Sequence, residues 1–475
     1  MKNVIRTLLF AAFAFAATTV NAQDSWSLER CVKHALDNNL TIKQTQANVR
    51  TALLSEQQAK ASRLPNLSAQ VSAGEQFGRT IDPTTNTFGT SAIGFNQMTL
   101  SAGVSVFQGG LIHNSVKQAG YNTRAAAADA QQSANDLALQ VAQAFLSVLL
   151  AEEQLKSAQA RIGQSKEQLN NTLKLIDAGN LPPADRFTID AQIAREEQLA
   201  VTAANNVELS MLNLKQLLQL EPDYVMSIEK PIFSIPADAA PEAYTLPSVY
   251  ETATATQPSI SAAGFRLKSA EKGVDIARAG YYPTLSLFAN LSSNYSTAFR
   301  TGIPGPDELV EQDVQIGGQT VRIGFFQPTL IIKDVPYFDQ IDRNFGQGIG
   351  VSLNIPIYQN GRTRLSVERA RLGIVNAQLA EVQAKQRLKN DIQTAIANAK
   401  AAKKQMEAAN KSVEAARAAF VNAEKRHALG AINTLNLSIA KNTLDIAEND
   451  LLVARYDYLF RLKIIDFYLG KEIKL

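Results

Sequence analysis

Two hydrophobic periods divide this chain. Leu67, Ala69, Val71 and Ala73 interleave with Ser68, Gln70, Ser72 and Gly74, and Leu100, Ala102, Val104 and Val106 interleave with Ser101, Gly103 and Ser105. The alternation returns in Leu285, Leu287, Ala289 and Leu291, and again in Ile349, Val351, Leu353, Ile355 and Ile357. A period of two over about 10 residues predicts strands with one apolar and one polar face, which is also the length and pattern of a transmembrane barrel strand. Four strands are too few to close a barrel, since known ones begin at about eight. In lipid an open sheet leaves edge N–H and C=O groups unpaired, at several kcal/mol each. Such strands span a bilayer only if several copies of the chain assemble.

The second period is longer. From about residue 113 to 178 and from about 364 to 428 there is no proline, and apolar residues fall on a heptad. Val141, Val148, Leu155, Ile162, Leu169 and Ile176 mark one seam position, with Ala144, Ala151 and Ala158 three residues further on. The second run carries Ile392, Ala399, Met406, Val413 and Phe420, with Ala395, Ala402, Ala409, Ala416 and Ala423. A sustained 3.5-residue period predicts coiled-coil packing, and alanine at every second seam position lets backbones approach closely. At 1.5 Å per residue each helix would be about 100 Å long. Gly179 and Gly430 suit C-cap turns. Returning helices are predicted from Ala184 to about Leu220 and from Leu435 to about Leu469, the latter with Leu437, Leu444 and Leu451 against Ala440, Ala447 and Ala454. Each long run thus predicts a helical hairpin whose tip lies about 100 Å from the strands, and strands at one end with helical tips at the other describe a conduit.

The two halves of the chain are written alike. "VSVFQGGLIHNSVKQ" (104–118) aligns with "IPIYQNGRTRLSVER" (355–369), 251 residues later, and the same offset places Gly179 on Gly430. Upstream the offset is 218, setting "ALDNNLTI" on "ATATQPSI" and Pro65 on Pro283. A tandem duplication follows, with one insertion in the second copy's loop between its strands. The predicted organisation is a first repeat at 23–220, a connector at 221–245 within the Pro-rich stretch 221–247, and a second repeat at 246–475. Each repeat holds a helix, two strands and a long helical hairpin. The loops at about 75–98 and 297–346 are expected to face outside, and "VQIGGQTVRI" (314–323) reads as a hairpin around Gly317-Gly318.

The N-terminus changes where this object is expected. Lys2 and Arg6, the apolar run Leu8 to Ala17, and Val20-Asn21-Ala22 read as a signal peptide over residues 1–22, too short an apolar run to span a membrane. Without that segment's two bases the chain holds 45 Lys plus Arg against 44 Asp plus Glu, a balance that gives no support for a nucleic-acid partner. A single cysteine excludes an internal disulfide and argues against a thiolate metal site; Cys31 is expected to be a free, partly buried thiol. His34, His113 and His427 are scattered and read as helix-surface residues. No P-loop, H-E-x-x-H or G-x-S-x-G motif is present, and "GQGIG" (346–350) lies at a strand, so no catalytic residue, cofactor or metal is predicted. An exported coiled-coil structural or adhesion protein is the alternative, but it leaves the four amphipathic strands unexplained.

With these features in place, the chain resembles the TolC-like outer-membrane efflux proteins. The resemblance covers nearly the whole mature chain: duplicated halves, strand to "YQNGR" to long helix, and tip turns in which a Gly is followed six residues later by Asp185 or Asn436. It implies an α+β membrane protein whose trimer joins four strands per chain into a 12-stranded β-barrel and the helical hairpins into an α-barrel. It further implies an outer-membrane location extending into the periplasm, and work as the exit duct of a tripartite efflux or secretion system, with a periplasmic adaptor and an inner-membrane pump. The adaptor is expected at the tips, around Gly179, Leu181, Asp185, Gly430 and Ile432. Some members carry an Arg two residues after the second tip's Gly and Asp at six and nine. Those positions here are Ile432, Asn436 and Ile439, so the resemblance places Asn436 and Ile439 at the pore constriction without an acidic ring, while Asp185 fits the pattern.

Overall fold

The computed structural model describes residues 25–81, 86–89, 92–179, 181–230 and 241–471. The signal-peptide reading of 1–22 and the middle of the connector, 231–240, lie outside the described residues. In chain order the elements are β1 (Ser25–Trp26), α1 (Leu28–Asn38), α2 (Leu40–Ala61), β2 (Asn66–Gln76), β3 (Thr80–Ile81), β4 (Phe88–Gly89), β5 (Ile93–Gln108), α3 (Leu111–Asp177) and α4 (Asp185–Leu218). After β6 (Ser227–Ile228) come α5 (Leu246–Thr256), α6 (Pro258–Arg278), β7 (Thr284–Ser296), β8 (Arg300–Ile316), β9 (Gln319–Asp334), α7 (Tyr337–Arg343), β10 (Gly346–Asn354), α8 (Arg362–Ala428) and α9 (Thr434–Tyr468). The described residues divide into two compact units: a helical one drawn from 25–54, 120–269 and 374–471, and a sheet-bearing one drawn from 55–119 and 270–373.

In the helical unit the heptads do what their period predicts. Val141, Ala144 and Val148 of α3 are buried together with Cys31 of α1, Leu214 and Leu218 of α4, and Leu459 of α9. A second cluster gathers Ile392, Ala395 and Ala399 of α8 against Val249 and Ala253 of α5 and Ile465 of α9. Further along, Val413 and Ala416 of α8 meet Ala447 of α9, flanked by Leu444 and Leu451. Helix α3 is long and apolar enough, by length and composition, to cross a membrane, yet half of its apolar window is buried inside the protein. That apolarity is core. Cys31 is fully buried, where partial burial was expected, and loss of solvation pushes its thiol up to about 12.

The sheet-bearing unit is built on four antiparallel strands in the order β10-β7-β5-β2. Register carries one apolar row across all of them, Leu67–Ala102–Ala289–Ile349, with Ala69–Leu100–Leu291 on one side and Val104–Leu287–Val351 on the other. The opposite face carries Ser68–Ser101–Asn290–Gly348 and Ser105–Ser286–Ser352. Pairing residues share a face and neighbours alternate, so correct register alone sorts the sheet into an apolar and a polar side. The apolar side is bare: Leu67 is 70% exposed, Ile349 88% and Leu353 59%.

Three details differ from the alternation. The pairing skips Val106 between Ser105 and Phe107, so Val106 is the extra residue of a bulge and Phe107 takes the place opposite Leu285. The last strand stops at Asn354 and leaves out Ile355 and Ile357, because Pro356 has no N–H to give to a ladder. The first loop is also shorter than 75–98, since β2 runs to Gln76 and β5 begins at Ile93.

The repeated junction has a repeated backbone. Gly109 and Gly110 have φ of 58° and 81°, and Asn360 and Gly361 have 52° and 72°. Two consecutive left-handed residues turn the chain from strand into helix; Gly adopts that conformation without steric cost, and Asn is the side chain that tolerates it best.

Candidate functional site

At the first tip the N–H of Gly179, with φ of 78°, donates to the Ile176 carbonyl at 2.9 Å and closes α3. Leu181 is half-buried, Pro182 and Pro183 block a direct continuation, and the Asp185 N–H donates to the Pro182 carbonyl at 3.1 Å as α4 begins. Asp185 is half-buried, and Arg186 pairs with Asp190 at 3.2 Å on the exposed face one turn on.

The second tip closes more tightly. Gly430 N–H donates to the His427 carbonyl at 2.9 Å and Ala431 N–H to the Arg426 carbonyl at 2.8 Å, the paired bonds of a glycine C-cap. Asn433 caps α9, its side-chain oxygen accepting the Asn436 N–H at 3.0 Å. The His427 ring lies 3.2 Å from the Thr434 hydroxyl, which ties the last turn of α8 to the first of α9. Ile432 is half-buried, while Gly430, Asn436 and Ile439 are exposed. The seven predicted site residues therefore gather at two turns, with Gly179, Leu181 and Asp185 at one, and Gly430, Ile432, Asn436 and Ile439 at the other. Ile439 also lines a cavity of about 280 Å³ with Leu435 of α9 and Thr188 and Leu199 of α4.

The wall of that cavity includes part of a buried polar cluster that the sequence reading missed, through Arg161, Gln192, Glu196 and Asp445. Lys441 of α9 donates to the Ser165 hydroxyl of α3 at 2.6 Å, and Ser165 donates to Glu196 of α4 at 2.8 Å. Gln192 adds a bond to the same Glu196 oxygen at 3.0 Å, and the Lys441 ammonium stands 3.6 Å from it. Nearby, Arg161 of α3 pairs with Asp445 of α9 at 3.3 Å and also donates to its carbonyl at 2.5 Å. Three helices are thus tied by two ion pairs, and Lys441, Ser165 and Glu196 are all buried. Burial raises the Asp445 carboxyl above its ordinary range, partly offset by the Arg161 and Lys441 charges. The signal was present in the pattern. Ser165 and Thr172 continue the Ala144–Ala151–Ala158 series at seven-residue steps, and both are buried. Polar residues at seam positions imply polar partners across the seam.

A sheet with one bare apolar face, joined in one chain to coiled-coil hairpins, fits a membrane channel better than any enzyme. The sequence model of one family, described as "Outer membrane efflux protein", matches residues 31–219 and 249–471. The chain belongs to that family. It is a TolC-like channel of the outer membrane, a transport protein and not an enzyme, which sets aside the coiled-coil adhesion alternative. Among curated relatives, the outer membrane efflux protein BepC of Brucella suis is 22% identical over 95% of this chain and 89% of its own length. The outer membrane protein TolC of Escherichia coli is 23% identical over 72% of this chain and 62% of its own. An uncharacterized Haemophilus influenzae protein is 26% identical over 58% of this chain and 60% of its own, so two of these three alignments span less than two thirds of the relative. The mixed α and β fold matches crystal structures of family channels. The Vibrio cholerae outer membrane protein VceC gives a TM-score of 0.73 at 17% identity, covering 94% of this chain and 97% of that one. The Neisseria gonorrhoeae channel MtrE gives 0.69 at 19%, covering 94% and 89%.

Proposed function

We propose that three copies of this chain form a 12-stranded barrel through the outer membrane and a helical tunnel into the periplasm. In this reading the assembly is the exit duct of a tripartite efflux or secretion system, with a periplasmic adaptor and an inner-membrane pump. One observation carries it: an amphipathic sheet of four strands has nothing paired to the outer sides of β2 and β10 among the described residues. In hydrocarbon those edges must be paired, and further copies of the same sheet pair them with no edge left over. The two-repeat organisation, 23–220 and 246–475 about the connector 221–245, gains support from the shared junction backbone and from the two matched segments.

The tips are the proposed docking sites for the adaptor, through Gly179, Leu181, Asp185, Gly430 and Ile432. Asn436 and Ile439 are the proposed constriction, a ring of amides beside a ring of apolar side chains in three copies. No carboxylate stands at those two positions to hold a multivalent cation. Conductance in planar bilayers tests the constriction: the unmodified channel is expected to resist block by divalent and trivalent cations from the tip side. Asn436→Asp with Ile439→Asp should create block, because six converging carboxylates focus a strong negative potential. Strong block of the unmodified channel would move the constriction elsewhere, with Asp185 or Asp190 the first groups to change.

A further inference from the structure

The insertion in the second repeat folds into β8 and β9, an antiparallel ribbon that pairs with no strand of the four-stranded sheet. Gly317 and Gly318 close it with φ of 63° and 87°, the two left-handed positions of a two-residue hairpin turn. Register gives its outer half two unlike faces. On one lie Val310 opposite Phe325, Ile323 opposite Gln312, and Val314 opposite Val321, with Ile316 beyond them. On the other lie Leu309 opposite Phe326 at its inner end, then Glu311 and Asp313 with Arg322, and Gln315 opposite Thr320 towards the turn. Arg322 stands 2.9 Å from Asp313 and 3.7 Å from Glu311, so the charged face satisfies itself. The apolar face has no such cover: all six of its apolar side chains are exposed.

A two-stranded ribbon alone is marginally stable in water, and a contiguous exposed apolar patch marks a contact surface. Lipid is a poor occupant. Immersed in hydrocarbon, this ribbon would leave both its edges unpaired and carry Glu311, Asp313 and Arg322 with it. The ribbon's tether points to another occupant. Only residues 297–299 separate β7 from β8, and Thr297 is fastened to the sheet, its N–H donating to the Gly94 carbonyl and its hydroxyl accepting the Gly94 N–H, each at 2.9 Å. Each copy therefore holds its ribbon close to a sheet whose open edges call for neighbouring copies.

We propose that the apolar face of Val310, Val314, Ile316, Val321, Ile323 and Phe325 packs against the same face of the ribbons on neighbouring copies, forming a collar with its charged face outward. This rests on the oligomeric reading above. The test places the photoreactive residue p-benzoylphenylalanine at Val321, and in separate variants at Ile316 on the same face and at Thr320 on the charged one, in the full chain in intact cells. On irradiation, covalent dimers and trimers of this chain should form at 321 and 316 at least tenfold more than at 320. Native mass spectrometry of unirradiated samples is run beside them. Trimers that give no copy-to-copy adduct, equal yields on both faces, or adducts to lipid or to a different polypeptide would overturn the collar and leave the trimer standing. Unirradiated protein that is monomeric would overturn both.

Discussion

The helical unit and the sheet both wear one apolar face, and they treat it in opposite ways. In the helices the periodic side chains are covered within the chain: Val141, Val148, Ile392 and Ala399 are all fully buried. In the sheet the periodic side chains of β2, β7 and β10 stand largely open, on a row that runs across all four strands. Amphipathic patterning therefore says that a face must be covered, and leaves open what covers it. The helices find their cover in other helices of the same chain, whereas in the proposed barrel the sheet takes its cover from the bilayer.

The largest effect is expected where the helical unit buries charge as well as apolar surface. Lys441→Met strands Glu196, whose second oxygen is already buried without a hydrogen bond. Removing one partner of a buried pair costs about 3–5 kcal/mol. The helical signal in urea should melt earlier by that amount, and Lys441→Met with Glu196→Gln should recover most of it. A single variant that melts like the parent would show the pair contributes nothing.

The second pair of variants sets the two regions against each other. Ile392→Ala removes buried volume from the helical core and should cost about 2–5 kcal/mol wherever the protein is placed, in detergent or in membrane. Leu353→Arg or Val104→Arg, on the bare face of the sheet, should cost about 2–4 kcal/mol near the bilayer midplane and lower the yield of membrane trimers, while leaving the helical melt in place. Equal loss of helical stability from both kinds of change would erase the distinction.

A smaller effect concerns pH. Asp445 takes up a proton more readily folded than unfolded, because burial raises its carboxyl. Its contribution to stability is then fully present below the ordinary, unfolded-state value and is lost as pH rises through the raised folded value. Asp445→Asn should flatten this part of the urea-midpoint profile against pH. A parent profile with the same slope as the variant's would assign the slope to other groups.

The smallest effect is chemical. Cys31 is fully buried, and its thiol is pushed up to about 12 by burial, against a weaker pull from Arg30. Folded protein at neutral pH should resist iodoacetamide, with labelling rising only as the helical unit unfolds; rapid labelling of folded protein would place Cys31 outside the core.

Much of this architecture was legible in the residues because period and register are local. The heptads from Val141 and from Ile392, the glycine turns at 179 and 430, and the alternation in four strands each follow from side-chain spacing along one segment. So did the twin junction, where Gly109-Gly110 and Asn360-Gly361 share an unusual backbone that few residues accept. What tertiary structure alone decided were matters of partnership. Alternation could not place the bulge at Val106, because a bulge exists only relative to β7. The heptad could not say that Ser165 would meet Lys441 and Glu196, since those residues are distant in sequence and joined only by packing of α3, α4 and α9. Nor could a run of residues around Gly317-Gly318 disclose that the whole of 300–334 forms a ribbon outside the sheet, with its charges near the turn gathered on one face and bare apolar side chains on the other. Spacing along a chain is written in covalent geometry, but which face meets which depends on the free energy of the assembled whole.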